Sequence, residues 1–238
     1  HAYLGLLFAS VLIYHPAITG YFLHTDDYFW SYWGGFTCPA VVNWILPIGR
    51  PLAGLVYCAF SLVKTFQYMG IFRLLAVLNI AIIGILAWRW MMRWKVDGLA
   101  AFLVSVLLIT LPTFQVFSSY ISTLPHGLGV TFSFLALFAA DRSRLFSTVS
   151  LLLIALCLNQ ASALFYCAGL AVPILVCDSN AFLKEWPRKL LGYAKGLFLT
   201  LGVYYLCFRV SAALFAFPNV GKYDGRNFVS NYGERVRW

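Results

Sequence analysis

Long apolar runs separated by short polar connections dominate the chain, and seven of them are candidates for membrane-spanning helices. The runs cover residues 2–23, 67–90, 98–118, 120–140, 145–160, 162–178 and 190–213. A helix needs about 20 apolar residues to cross a bilayer, because lipid offers the backbone no hydrogen-bond partners. The fifth and sixth runs are short and meet at Asn159–Gln160, which leaves either a tight helical hairpin or one broken segment. The pattern predicts an all-α, polytopic transmembrane helical bundle of about seven spans.

A further apolar run from Leu52 to Val63 is too short to span, so it predicts a juxtamembrane helix lying along the interface. No internal repeat or low-complexity linker divides the chain. We therefore expect one transmembrane domain over residues 1–213, with a long outer loop at 24–66. The polar, aromatic and basic residues 214–238 are expected to be an outer, periplasmic segment that begins a truncated C-terminal region.

Composition supports this architecture and excludes a soluble enzyme. Hydrophobic residues make up 62% of the 238 residues and charged residues 11%, whereas an ordinary globular domain has about 25% charged residues. The formal net charge of +9 needs a positional explanation before it indicates any partner.

The positions of Lys and Arg predict the orientation of the chain. If the N-terminus is cytoplasmic, the connections on that side hold Arg89, Arg93, Lys95, Arg142, Arg144, Lys184, Arg188 and Lys189. The short connections on the outer side, around 119–124 and 159–161, hold none. Because cytoplasmic loops are enriched in Lys and Arg, much of the net charge is an orientation signal, and no nucleic-acid partner is expected.

The cysteines predict packing rather than metal binding. The six are Cys38, Cys58, Cys157, Cys167, Cys177 and Cys207, with no CxxC pair, and four lie within apolar runs. Only Cys38 and Cys58 fall on the predicted outer, oxidising face, where a bridge could form.

An acidic pair, Asp26 and Asp27, stands where the first span leaves the bilayer, followed by the aromatic group Tyr28, Phe29 and Trp30. The chain has only eight acidic residues, and carboxylates at membrane depth are costly and tend to be functional. A partly desolvated carboxylate can act as a general base toward a hydroxyl. The alternative is a solvated helix end.

Four basic residues on the predicted outer side are candidates for binding a phosphate. Arg50, in the segment Gly49–Leu52, has the side chain best suited to bidentate phosphate recognition. Lys64, Arg73 and Arg209 are the others. Snorkelling of the side chain to the interface is the alternative for Arg73 and Arg209.

Two polar side chains at outer helix ends, His126, which could also titrate, and Gln160, are candidates for binding sugar hydroxyls. His126 follows Pro125 at a helix entry, where a structural capping role is the alternative. Interhelical hydrogen bonding explains Gln160 equally well.

These motifs together resemble the GT-C class of membrane glycosyltransferases. The pattern Thr25-Asp26-Asp27-Tyr28 followed by Gly49-Arg50-Pro51-Leu52 is similar to the bacterial O-antigen glucosyltransferases of the Gtr type. The corner Leu158-Asn159-Gln160-Ala161 also resembles that family.

The resemblance implies transfer of a sugar, glucose in that family, from a polyprenyl-phosphate carrier to a glycan or lipid-linked acceptor. It implies a multi-pass protein of the bacterial inner membrane with its site on the periplasmic face. Asp26 or Asp27 would be the catalytic base of an inverting displacement, and Arg50, Lys64 and Arg73 would hold the leaving phosphate.

No nucleotide, dinucleotide or zinc motif occurs, so no cofactor is expected. The acidic pair could bind a divalent cation, but no third ligand is evident in the sequence. Two alternatives stay open. A transporter or flippase for a lipid-linked saccharide would have broken helices and polar residues near the midplane. A non-catalytic membrane subunit would depend on a protein partner.

Overall fold

A computed structural model describes residues 1–20, 38, 45–61, 69–176 and 179–214, and every regular element in these ranges is helical. The helices are α1 (Ala2–Thr19), α2 (Pro51–Ser61), α3 (Met69–Arg93), α4 (Gly98–Ile109), α5 (Pro112–Ser119), α6 (Leu124–Asp141), α7 (Leu145–Leu158), α8 (Gln160–Ala163), α9 (Phe165–Gly169), α10 (Ala171–Val176) and α11 (Ser179–Leu214). Short 3-10 turns cover Leu46–Ile48 and Ile121–Thr123. The all-α prediction is confirmed for this part of the chain.

Four helices are long and apolar enough to cross a membrane, namely α1, Gly70–Arg93 of α3, α6, and Trp186–Ser211 of α11. Helices α4 and α5 would make a fifth span together, and they meet at a bend of 55°. The bend falls at Pro112, which lacks a backbone N–H and disfavours the helical conformation in the residue before it. The structure thus supports four or five spans, and the figure of seven stays a prediction.

The apolar runs on either side of Asn159 form a helical hairpin. Asn159 is extended (φ −161°, ψ 121°), which ends α7, and its side chain caps α8 by accepting a hydrogen bond from the Ser162 backbone at 2.9 Å. Ser162 lies against Gly129 of α6, and Gly169 lies against Leu137 two turns further along α6. Helices α8–α10 therefore run parallel to α6, while α7 returns antiparallel to it.

Helices α3 and α6 form the centre of the bundle. α1, α4 and α5 pack on α3, α7–α9 pack on α6, and α11 packs on α7. Apolar side chains such as Ile80, Val130 and Leu137 fill the centre, whereas many large apolar side chains on α1 and α11 face outward. An outward apolar surface of this extent is expected of a multi-pass membrane protein.

Polar contacts gather at the two opposite ends of α6. The first, called the Arg50 end, contains the exit of α1 at Gly20, the Leu46–Arg50 turn, the α7–α8 corner and Tyr204. The second, called the Asp141 end, contains Asp141 and the basic side chains around it.

Candidate functional site

The candidate site lies at the Arg50 end, where residues distant in sequence converge on one turn. Arg50 precedes Pro51, which begins α2, and its side chain is half-buried. Its Nε donates a hydrogen bond of 2.7 Å to Oε1 of Gln160, which lies 110 residues later. No carboxylate pairs with Arg50 in the described part of the chain. Its terminal N–H groups therefore keep their capacity to bind an anion.

Gln160 and Tyr204 hold this turn from two other helices. The Gln160 Nε2 donates to the Ile48 carbonyl at 3.0 Å and to the Tyr204 hydroxyl at 2.8 Å. The Tyr204 hydroxyl in turn donates to the Gly49 carbonyl at 2.7 Å. The α7–α8 corner, α11 and the turn before α2 are thus joined by one hydrogen-bond network, which fixes the direction in which Arg50 leaves the turn.

Gly49 is required by the close packing of this network. Its φ of 78° is in the left-handed region, which side chains with a Cβ rarely adopt. A Cβ at this position would overlap the Tyr204 hydroxyl and lie 3.1 Å from Nε2 of Gln160. The Gly-Arg-Pro sequence therefore combines a left-handed turn, an oriented cation and a helix start.

A cleft of about 150 Å³ opens beside the turn, between it, α7 and α11. Its walls are mainly apolar: Leu46, Gly49, Pro51, Leu153, Cys157, Tyr204, Cys207, Phe208 and Ser211. The Tyr204 hydroxyl is at the point where this apolar cleft meets the polar network. At about 150 Å³ the cleft is smaller than a typical small-molecule site of about 300–1,000 Å³, and its lining is suited to a short apolar segment of a ligand.

Arg73 lies at the same end of the bundle, at the exit of α1. The side chain is 2% exposed. Its Nη1 donates to the Gly20 carbonyl at 2.7 Å and more weakly to the Ala17 carbonyl at 3.4 Å. A cation there satisfies carbonyl groups that the last turn of α1 leaves without intrahelical partners. Arg73 therefore fixes the end of α1, six residues before Asp26 in the sequence.

The remaining predicted residues differ in their placement. His126 is in the first turn of α6, with its ring 6.2 Å from that of Phe117. Arg209 is exposed on α11 and is not one of the residues that line the cleft. Asp26, Asp27 and Lys64 lie outside the described residues. The structure therefore brings Arg50 and Gln160 into contact and places Arg73 at the same end.

A disulfide joins Cys38 to Cys58, 20 residues later in α2. The bridge that the sequence left open is therefore present. It ties Cys38 to the helix that begins directly after Arg50. The described free cysteines, Cys157, Cys167 and Cys207, are all on helices of the bundle.

Sequence reasoning missed Tyr204. Tyrosine is common at the ends of membrane helices, where its ring lies at headgroup level, and Tyr204 is followed by the exposed Tyr205. Nothing in the pattern distinguishes the tyrosine that contacts Gly49 from its neighbour. Only the fold does so.

No protein-family model, curated protein or solved structure matches the chain. Within the described ranges, no group of three His, Cys, Asp or Glu side chains could hold a metal ion. The basis for assigning a ligand to the Arg50 end is therefore the set of hydrogen-bond donors that the end presents. An oriented guanidinium beside an apolar cleft is suited to a phosphate attached to a long apolar chain.

Proposed function

We propose that this protein is an inverting, GT-C-like glycosyltransferase. It moves a sugar, expected to be glucose, from a polyprenyl-phosphate carrier to a periplasmic glycan or lipid-linked acceptor. The observation that carries the proposal is the Arg50 guanidinium, which is oriented by Gln160 and has no acidic partner among the described residues. Its chain neighbours Gly49 and Pro51 line the apolar cleft. A polyprenyl phosphate has an anionic head and an apolar chain, which match these two features.

In the proposed reaction, the carboxylate of Asp26 or Asp27 accepts the proton of the acceptor hydroxyl. The acceptor oxygen attacks the anomeric carbon, and the bond from that carbon to the carrier phosphate oxygen breaks. Polyprenyl phosphate leaves with the bonding electron pair, and the anomeric configuration inverts. Arg50 compensates the charge that develops on the leaving phosphate, and Lys64 and Arg73 are further candidates for this role.

Two observations support an outer location for the site. The Cys38–Cys58 disulfide is at the Arg50 end, and disulfides persist in oxidising compartments such as the bacterial periplasm. The Lys and Arg residues that predict the cytoplasmic side include Arg93, the last residue of α3, and Arg142 and Arg144, between α6 and α7, all at the opposite end of the bundle. Both features favour a periplasmic site in a protein of the inner membrane.

The test is turnover. Purified protein is supplied with polyprenyl-phosphate-glucose and an acceptor glycan, and sugar transfer is measured for wild type, Asp26→Asn and Asp27→Asn. Loss of a general base lowers the rate by about 100- to 10,000-fold, so at least one variant should fall by that factor. Asp97→Asn is the matched control, because Asp97 is exposed and caps α4 at the other end, where Asn caps equally well. Full activity in both Asp26→Asn and Asp27→Asn would remove the proposed base.

A second candidate, a transporter or flippase for a lipid-linked saccharide, is favoured by features deeper in the bundle. The bend between α4 and α5 breaks a candidate span. In α3, the buried Asn79 accepts a hydrogen bond of 2.8 Å from Thr131, while its Nδ2 has no partner among the described residues. Broken helices and buried polar groups are features of transporter sites. Movement of labelled lipid-linked saccharide across vesicles without any sugar transfer would favour this function over the enzyme.

A further inference from the structure

A cavity lies at the Asp141 end, opposite the proposed catalytic site. It has a volume of about 590 Å³, within the range of about 300–1,000 Å³ typical of small-molecule sites. The end of α6, the start of α7 and the first half of α11 enclose it. Its lining includes Asp141 and the three cations Arg188, Lys189 and Lys195.

The charge of Asp141 is already compensated by its neighbours. Its side chain is 3% exposed and accepts a hydrogen bond of 2.5 Å from Nε of Arg93 and one of 3.3 Å from the Tyr193 hydroxyl. The Lys189 Nζ is 4.0 Å from Oδ1 and 4.9 Å from the centre of the Trp94 ring. Asp141 therefore holds the ends of α3 and α6 against the first half of α11 and has little capacity left to neutralise other cations.

Arg188 and Lys195 are the cations that remain. Both are exposed on α11, and neither forms an ion pair within the described ranges. They are seven residues apart, which places them on one face of the helix about 10 Å from each other. Helix α7 begins at Leu145, which lines the cavity, and the backbone N–H groups of a helix start add positive potential. The lining of the cavity thus has a net positive charge.

The rim of the cavity is apolar. Phe146, next to the lining residue Leu145, is 86% exposed, and Leu190 and Leu191 are also exposed beside Arg188. Acyl chains could cover these side chains while an anionic head enters the cavity. Basic pockets between membrane helices on the cytoplasmic side are typical sites for anionic lipid headgroups.

We infer that the cavity between α6, α7 and α11 binds the phosphate headgroup of an anionic phospholipid. Arg188 and Lys195 donate to the phosphate oxygens, and the acyl chains lie against Phe146 and Leu191. The lipid binds on the side that Lys and Arg predict to be cytoplasmic. This inference is independent of the chemistry proposed at the Arg50 end.

The test is lipid binding by delipidated protein in detergent, measured by native mass spectrometry. The probes are phosphatidylglycerol, phosphatidylcholine and inorganic phosphate. We expect phosphatidylglycerol to bind more tightly than either of the others. The double variant Arg188→Gln/Lys195→Gln should bind it about thirtyfold more weakly, since each cation near an anionic lipid surface contributes about fivefold.

A second variant tests the cavity without changing the charge. Gly192 lines the cavity, and a Cβ at this position would meet nothing within 4 Å. Gly192→Leu should therefore fold, fill part of the cavity and lower phosphatidylglycerol affinity, whereas a surface effect of charge alone would leave the affinity unchanged.

The matched control is Arg142→Gln/Arg144→Gln, which removes the same charge from exposed residues at this end that do not line the cavity. We expect it to lose less than about fivefold in affinity. An equal loss in the control and in Arg188→Gln/Lys195→Gln would overturn the site. Equal binding of the two lipids would do the same, and binding of inorganic phosphate as tight as that of phosphatidylglycerol would replace the lipid with a free anion.

Discussion

The two ends of the bundle treat positive charge in opposite ways. At the Asp141 end, one buried carboxylate forms a close ion pair with Arg93 and a longer one with Lys189, so it compensates about one of the two positive charges within the protein. At the Arg50 end, the guanidinium of Arg50 is held by a neutral amide, the side chain of Gln160. Neither arrangement is visible in the count of basic residues.

The difference separates cations that stabilise the fold from cations that are available to a ligand. A carboxylate partner neutralises the charge of an arginine, whereas an amide partner fixes the orientation of the side chain and leaves its charge uncompensated. The same distinction applies within the Asp141 end, where Arg188 and Lys195 line the cavity without an acidic partner in the described part of the chain. Uncompensated and oriented charge is therefore the better sign of a binding site.

Among variants that test the difference between the two ends, the largest expected effect comes from Arg50. Loss of one electrostatic group that stabilises a developing charge lowers the rate by about 100- to 1,000-fold. We expect Arg50→Gln to lower sugar transfer by this factor, with Arg50→Lys intermediate because it keeps the charge but not the fork of donors. The measurement is transfer from polyprenyl-phosphate-glucose, together with the melting temperature of each variant.

The control for Arg50 is Arg142→Gln, an exposed arginine at the opposite end of the bundle. It should transfer sugar at the wild-type rate. If Arg50→Gln and Arg142→Gln were equally active, the Arg50 end would have no special role in binding phosphate.

Substitution of Asp141 should lower the stability of the fold and leave sugar transfer unchanged. Asp141→Asn removes the carboxylate shared by Arg93, Lys189 and Tyr193. Hydrogen bonds to charged groups contribute about 2 kcal/mol. Because Arg93 and Lys189 can return to solvent, we expect the free energy of unfolding to fall by about that amount and no more. Denaturant unfolding in micelles measures it.

Sugar transfer by folded Asp141→Asn protein should be unchanged, since the residue is remote from the proposed site. A loss of transfer with no loss of stability would show that the two ends are not separate in function. Asp97→Asn again serves as the control, with no change expected in either quantity.

The helices were largely predictable, because apolar length and the positions of Lys and Arg directly reflect the bilayer. The residues at which the helices end were harder to predict. The run 145–160 contains a helix that stops at Leu158, because the side chain of Asn159 caps the next helix and does not continue the first. A polar residue in an apolar run has this effect only when its side chain finds a local backbone donor.

The sequence predicts which residue types form the site but not which of these residues contact each other. The chemistry of their side chains makes Arg50 and Gln160 candidates, but their hydrogen bond joins residues 110 positions apart and depends on the packing of the bundle. Tyr204 could not be distinguished from Tyr205, because the two differ in which face of α11 they occupy and not in type. The acidic pair Asp26–Asp27 stays a prediction.

Gly49 offers a smaller and sharper test of the Arg50 end. Gly49→Ala forces a Cβ into a left-handed turn and against the Tyr204 hydroxyl. Ala at positive φ destabilises by more than about 1 kcal/mol, and the turn that orients Arg50 should shift with it. We expect a fall in melting temperature and a loss of about tenfold in sugar transfer, since misplaced groups lose much of their effect.

The matched control is Gly202→Ala, two residues before Tyr204 in α11. A Cβ there meets nothing within 4 Å, and Ala favours a helix over Gly by about 1 kcal/mol. Gly202→Ala should therefore be as stable as wild type or more stable, with normal transfer. Equal behaviour of the two glycine variants would contradict the role of the turn.

Tyr204→Phe should give the smallest effect, because it removes one hydroxyl and leaves the ring packed. The hydroxyl donates to the Gly49 carbonyl and accepts from Gln160, and a hydrogen bond of this kind contributes about 1 kcal/mol. Gln160 would still hold the Ile48 carbonyl and Arg50, so the turn should loosen without opening. We expect a loss of transfer of about fivefold at most, and Tyr205→Phe, on an exposed neighbour, should lose none. A Tyr204→Phe loss as large as that of Arg50→Gln would indicate that the hydroxyl itself contacts the substrate, and the cleft rather than the guanidinium would then be the centre of the site.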